Sequence, residues 1–288
     1  MNGSPRVLPL IGGIVALVGA LVSLAALFLD YYDDGFARRL EPGPRWFVLF
    51  FVSGVVAAGL MLLAQRGTQL AGTGLLVTLC ATFVGARALE ITRVTDDRFP
   101  FDVGPGVVVD GIGFAVVAAG AALAVLGLLV EGIGQPVLRP VGPAVASLAV
   151  LGAFAGFVTA YGYGLNYVDL GLGGGTFAQG SPLVPSARSL WAQIVVVLVL
   201  VAGPVVVAAG RRALAAGVAA GLLVFTAASV LSRFLETGTV RGRDLGFDAV
   251  EGTWVMLVGG LLLAGFTLVR FAAPPDSTPA PGELPGEP

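Results

Sequence analysis

Histidine and lysine are both absent from this chain of 288 residues, and Cys80 is its one cysteine. Without imidazole there is no axial haem histidine and no His-based zinc site, and one thiol cannot form an intramolecular disulfide. Without lysine there is no Schiff base and no phosphate-loop lysine. Charge is scarce as well: Asp, Glu, Lys and Arg make up 12% of the chain, where a soluble domain is nearer a quarter charged. The formal net charge of −2 gives no basic footprint for nucleic acid. No nucleophile–base pair emerges from what remains, so the expectation is a protein that is not an enzyme and carries no cofactor and no metal.

What is abundant is apolar sequence. Hydrophobic residues are 56% of the chain and the mean hydropathy is +0.92. Runs of about twenty uncharged residues recur, each long enough to cross a hydrocarbon core of roughly 30 Å. They lack the alternation of barrel strands, and only a helix satisfies its own backbone within such a segment. The expected helices span about 8–29, 46–65, 70–89, 106–130, 141–161, 191–209, 213–235 and 249–269. The first is too long for a signal-peptide core and is not followed by a small-residue cleavage site, so it reads as retained. The fold class is therefore all-α: an integral membrane protein with eight transmembrane helices.

Charged and Trp positions then suggest that these helices form two parallel four-helix repeats, residues 1–131 and 139–271, followed by a disordered Pro-rich tail, 272–288. Arg87 and Glu90 close the third run as Arg233 and Glu236 close the seventh. Trp46 matches Trp191, and Asp102-Val-Gly104 with Asp110 matches Asp244-Leu-Gly246 with Glu251. Four helices per repeat is an even number, so both halves enter the bilayer in the same direction, about a pseudo-two-fold along the membrane normal. Tight basic turns at Arg66 and at Arg211-Arg212, opposite the long loops, place both termini in the cytoplasm of a cell-membrane protein.

Chemistry, if any, should gather at one rim. Residues three apart on a helix are neighbours, so Arg87 can meet Glu90 and Arg233 can meet Glu236. Thr226, Ser229, Arg233 and Glu236 share a face that could line a pore. Asp244, Asp248 and Glu251 have the spacing of three aligned carboxylates that could hold a hard divalent cation, provided that the eighth helix starts early enough; the favoured reading is that acids gather at helix N-termini for capping and dipole reasons. Asp110 is a further candidate partner for the arginines. The loop 162–187 contains Gly171-Leu-Gly173-Gly-Gly175 but no Gly-Lys-Ser/Thr, so it reads as an outer cover and not a phosphate cradle. Gly203-Pro204 should kink the sixth helix.

Because ionisable residues at helix ends snorkel to water cheaply, the rim charges read first as a structural clasp. The expected function is a structural or accessory membrane subunit. It would contact membrane lipid and, through its outer loops, a protein partner or a second copy. An ion or small-solute transporter or channel with a charged outer rim is the alternative. Transporters usually carry their site near the midplane on broken helices, and here the mid-helix positions are apolar almost throughout.

Overall fold

The computed structural model describes residues 6–33, 38–39, 42–87, 102–130, 138, 142–164, 166–169, 176–178, 187–241, 248–249 and 251–272. The chain is helical, and seven of its helices are long and apolar enough to cross a membrane. In order, the helices are α1 (Val7–Ala26), α2 (Pro42–Leu63), α3 (Arg66–Leu79, continuing to Arg87 through a π segment at Cys80–Val84), α4 (Pro105–Val130), α5 (Pro143–Gly164), α6 (Ala187–Ala209), α7 (Arg212–Arg241) and α8 (Glu251–Ala272). In α6 the apolar stretch is Ile194–Ala209, shorter than the other seven. Pro204 lies inside α6.

Helices such as α1, α4, α5 and α8 bury one stripe and leave large apolar side chains exposed on the other, as a bundle solvated by lipid tails should, whereas α7 shows no exposed Leu, Val or Phe among its described side chains. Helix contacts are made through small residues. Gly12 and Gly19 of α1 lie against the backbone of Gly120, Ala124 and Gly113 in α4; a methyl group at Gly12 would sit 2.8 Å from the Ala124 nitrogen. α1 and α4 thus touch along their length, running antiparallel. α3 and α7 run parallel instead: Gly217 faces the Ala71 carbonyl, and Gly221 faces Leu75 and Thr78. Only glycine allows such close backbone approach.

Two small antiparallel sheets sit where charged loops were expected. β1 (Asp30–Asp33), β2 (Arg38–Arg39) and β3 (Asp102–Val103) form one, in the order β2-β1-β3. β4 (Asn166–Asp169), β5 (Thr176–Ala178) and β6 (Asp248–Ala249) form the other, in the order β5-β4-β6. Asp102 pairs with Asp33 in the first, and Asp248 pairs with Asp169 in the second.

The expected row of Asp244, Asp248 and Glu251 on one helix does not form. Asp248 belongs to β6 and α8 opens only at Glu251, so strand and helix geometries separate the two, and Asp244 lies outside the described residues. The β4 edge captures the segment just before α8, which prevents an earlier helix start.

Candidate functional site: the charged rim

The threonines below the rim are spent on their own helices. Thr73, Thr78 and Thr82 in α3 donate to the carbonyls of Gln69, Gly74 and Thr78, each at 2.8 Å. Thr226 in α7 does the same to Leu222 at 2.8 Å. Back-bonding of this kind hides a hydroxyl in an apolar medium and loosens the helix slightly. In α3 it accompanies the π segment, whose wider turn relaxes the regular ladder. Within that segment, Phe83 packs with Phe47 at 4.6 Å, Phe51 at 5.3 Å and Phe225 at 5.2 Å between ring centroids. Phe51 in turn stacks on Phe114 at 4.2 Å. This aromatic plug joins α2, α3, α4 and α7 directly beneath Arg87.

Arg87 is 3% exposed and Asp110 is fully buried; Arg87 Nε lies 2.9 Å from Asp110 Oδ2. The guanidinium also covers the Tyr31 ring, 5.0 Å from its centroid. Three elements meet here: the end of α3, the first turns of α4, and β1. A pair so enclosed is weakly screened, so its attraction is strong, and so is the cost of leaving either partner alone.

Arg233 is 1% exposed and makes a different set of contacts. It donates to the carbonyls of Tyr163 (2.9 Å), Gly162 (3.0 Å) and Gly252 (3.4 Å) and covers the Tyr163 ring at 5.6 Å. Gly162 and Tyr163 end α5, where last-turn carbonyls lack intrahelical partners and the helix dipole is negative. A buried arginine is well suited to that position because its fork serves several acceptors at once. Glu251 is exposed, although Arg233 reaches the carbonyl of the neighbouring Gly252.

Of the expected rim residues, the structure therefore unites Arg87 with Asp110 and places Arg233 on α5 and α8. Thr226 and Ser229 are 3% and 1% exposed, facing the interior of the bundle. Glu90 and the side chain of Glu236 lie outside the described residues, so the local Arg-x-x-Glu pairs do too. Tyr31 and Tyr163 were not singled out from sequence; Tyr31 lies in β1 and Tyr163 in the last turn of α5, ahead of β4.

The opposite end has its own fasteners, also missed. Arg270 of α8, 7% exposed, donates to Val207 (3.1 Å) and Gly210 (3.2 Å) at the close of α6. Gln69, fully buried, receives the Arg6 amide at 3.2 Å and donates to the Arg6 and Leu62 carbonyls at 3.3 and 3.1 Å. Among the described residues, no group of three or more His, Cys, Asp or Glu is placed to hold a metal ion.

Fold and composition define the class: a multi-pass helical membrane protein in which the buried Arg87, Asp110, Arg233 and Arg270 are drawn into interhelix contacts. Comparison with family models, curated proteins and solved structures finds no match for the chain.

Proposed function

We propose that this chain is a non-enzymatic structural or accessory membrane subunit of the cell membrane. It offers its outer loops and the two small sheets to a protein partner or to a second copy. The observation that carries this reading is the use of the rim charges: Arg87 is engaged by Asp110 and Arg233 by helix-end carbonyls. Those side chains fasten helices together, while the threonine hydroxyls beside them are turned into their own backbones. The two cavities described below are lined almost wholly by apolar groups.

The subunit is organised as eight spans in two parallel repeats, 1–131 and 139–271. The two sheets support this through their matching strand orders. Arg87 to Arg233, Asp102 to Asp248, and the contact pairs Ala71 with Gly217 and Leu75 with Gly221 are all separated by 146 positions. Contact between equivalent residues of parallel helices is what a two-fold axis between α3 and α7 requires. The strand register favours Asp248 as the counterpart of Asp102, in place of Asp244. The same spacing sets Met256 opposite Asp110, which accounts for an ion pair in one half and carbonyl ligation in the other. α6 counts as a span because it joins the outer sheet to the short inner turn at Gly210. Both termini are then cytoplasmic.

Arg233→Leu tests the functional reading. A structural clasp predicts lower thermal stability of the detergent-purified protein and, in proteoliposomes, no ion or solute flux attributable to the wild type. Stability unchanged within about 0.5 kcal/mol together with a wild-type flux that the variant abolishes would refute it. The face of Thr226, Ser229 and Arg233 would then be a permeation wall.

A further inference from the structure

Two cavities, of about 460 Å³ and about 580 Å³, lie on the flank of α3. They share Val77, Ala81, Val125 and Leu129, so they form one continuous groove. Its α3 wall extends from Leu70 to Val84, roughly 21 Å at 1.5 Å per residue. That is more than one leaflet and less than the whole hydrocarbon core of about 30 Å. The other walls come from the last turns of α4 and from Leu198, Ala202 and Val206 of α6. Thr73 and Thr78 are the polar side chains along it, and both hydroxyls are bonded within α3.

The groove exists because α6 meets α3 chiefly at the π segment, whereas α2 packs fully against α7. On the α2 side, Phe47 lies edge-on to Phe225 at 6.1 Å and occupies the space. No such ring lines the groove on the α6 side.

Charge is distributed unevenly about this groove. Arg66 opens α3 four residues before Leu70, and Arg211 and Arg212 precede Leu214, which lines the same inner mouth. Arg211 is half-buried, and Arg212 is exposed and donates to the Phe271 carbonyl at 3.2 Å. An apolar slot ending at clustered arginines complements a molecule with a hydrocarbon tail and an anionic head.

We infer that the groove between α3, α4 and α6 holds one tail of an anionic glycerophospholipid from the leaflet at the α3 and α7 N-termini, with its phosphate held by Arg211 and Arg212. The lipid takes the place that Phe47 fills on the other side and completes the packing of α6. This inference requires only that the bundle sits in a bilayer, whatever its partner.

The full-length protein, purified in mild detergent with equimolar phosphatidylglycerol and phosphatidylcholine, is read by native mass spectrometry. One phosphatidylglycerol should be retained per chain in preference to phosphatidylcholine. Neutralising Arg211 and Arg212 to glutamine should weaken that preference by roughly fivefold for each arginine. Ala122→Trp with Ala202→Trp, both at exposed positions lining the groove, should expel either lipid. Equal retention of the two lipids by the wild type would overturn the inference, as would phosphatidylglycerol retention that survives the tryptophans. Should the tryptophan variant fail to fold, a tail-diazirine phosphatidylglycerol on the wild type decides: crosslinks must fall within 70–84, 118–129, 198–206 or 214–218, and crosslinks confined elsewhere reject the site.

Discussion

Replacing Arg87 by leucine leaves the Asp110 carboxylate fully buried with its 2.9 Å partner gone. Removing one member of a buried pair typically costs about 3–5 kcal/mol, while replacing both by apolar groups is often close to neutral. Asp110→Leu alone strands the guanidinium and should cost a similar amount. The double variant loses in addition the contact of Arg87 with the Tyr31 ring at 5.0 Å, worth about 2 kcal/mol when desolvated. The rank order is therefore specific: the double variant is less stable than the wild type but more stable than either single one. Denaturant titration in mixed micelles, followed by helical circular dichroism, gives the four stabilities of the cycle. Tyr31→Phe is a useful companion, because it keeps the ring beneath the guanidinium and should leave most of that contact intact. If the two single losses instead add within about 0.5 kcal/mol, Arg87 and Asp110 are not coupled and the clasp is wrong.

Arg233 should respond differently. Arg233→Lys is expected to lose about 1.5–3 kcal/mol, since an ammonium cannot reproduce the fork that serves three carbonyls. Adding Glu251→Gln to Arg233→Leu should restore nothing, and thermal unfolding of the pair would reveal any rescue. At the α3–α7 contact, a side-chain carbon placed at Gly221 meets Thr78 Cβ at 2.7 Å. Cysteines at these two positions, in a Cys80→Ser background, should crosslink on mild oxidation once the backbones relax to disulfide spacing. Absence of the crosslink in folded protein counts against parallel packing of these helices. Gly217→Leu at the same contact should cost at least about 1–3 kcal/mol by overpacking, and Gly265→Ala, which meets nothing, should be neutral within about 1 kcal/mol. For topology, a cysteine at Thr68 should be shielded from impermeant thiol reagents in intact cells and one at Gly174 labelled; the reverse pattern inverts the orientation.

Helices were legible in this sequence because lipid imposes a strong one-dimensional rule: α1, α4 and α5 begin and end within a few residues of where the apolar runs do. The outer strands were not. β2, β3 and β6 are two residues each, too short for any alternation to register, and their pairing is decided by helices that bring distant loops together. Asp110 drew notice as a carboxylate inside an apolar run, and its pairing with Arg87 follows from there being few other places for either charge. Arg233 was legible as a rim charge, but neither its burial nor its partners were, because backbone carbonyls at a helix end leave no residue signature. The same blindness hid Arg270. The π segment was also unreadable, since Cys80–Val84 is ordinary apolar sequence whose extra width depends on how α3 meets its neighbours.

The glycine contact between α1 and α4 has a consequence for biogenesis. α1 is made first, and its long complementary surface is α4, which begins about a hundred residues later. At typical elongation rates of about 5–20 residues per second, α1 waits roughly 5–20 seconds for that partner. During this time the glycine-rich faces of α1 are open to lipid and to the insertion machinery. The β1–β3 pairing is delayed for the same interval, because β3 immediately precedes α4. Each such closure joins the ends of a segment rather than its neighbours, so the ribosome is well past the second and third helices before the first can settle. A chain arrested before residue 105 would hold a membrane-inserted α1 packed on α2 through Gly13 but with its Gly12 and Gly19 face unsealed, and would be a natural target for quality-control proteases.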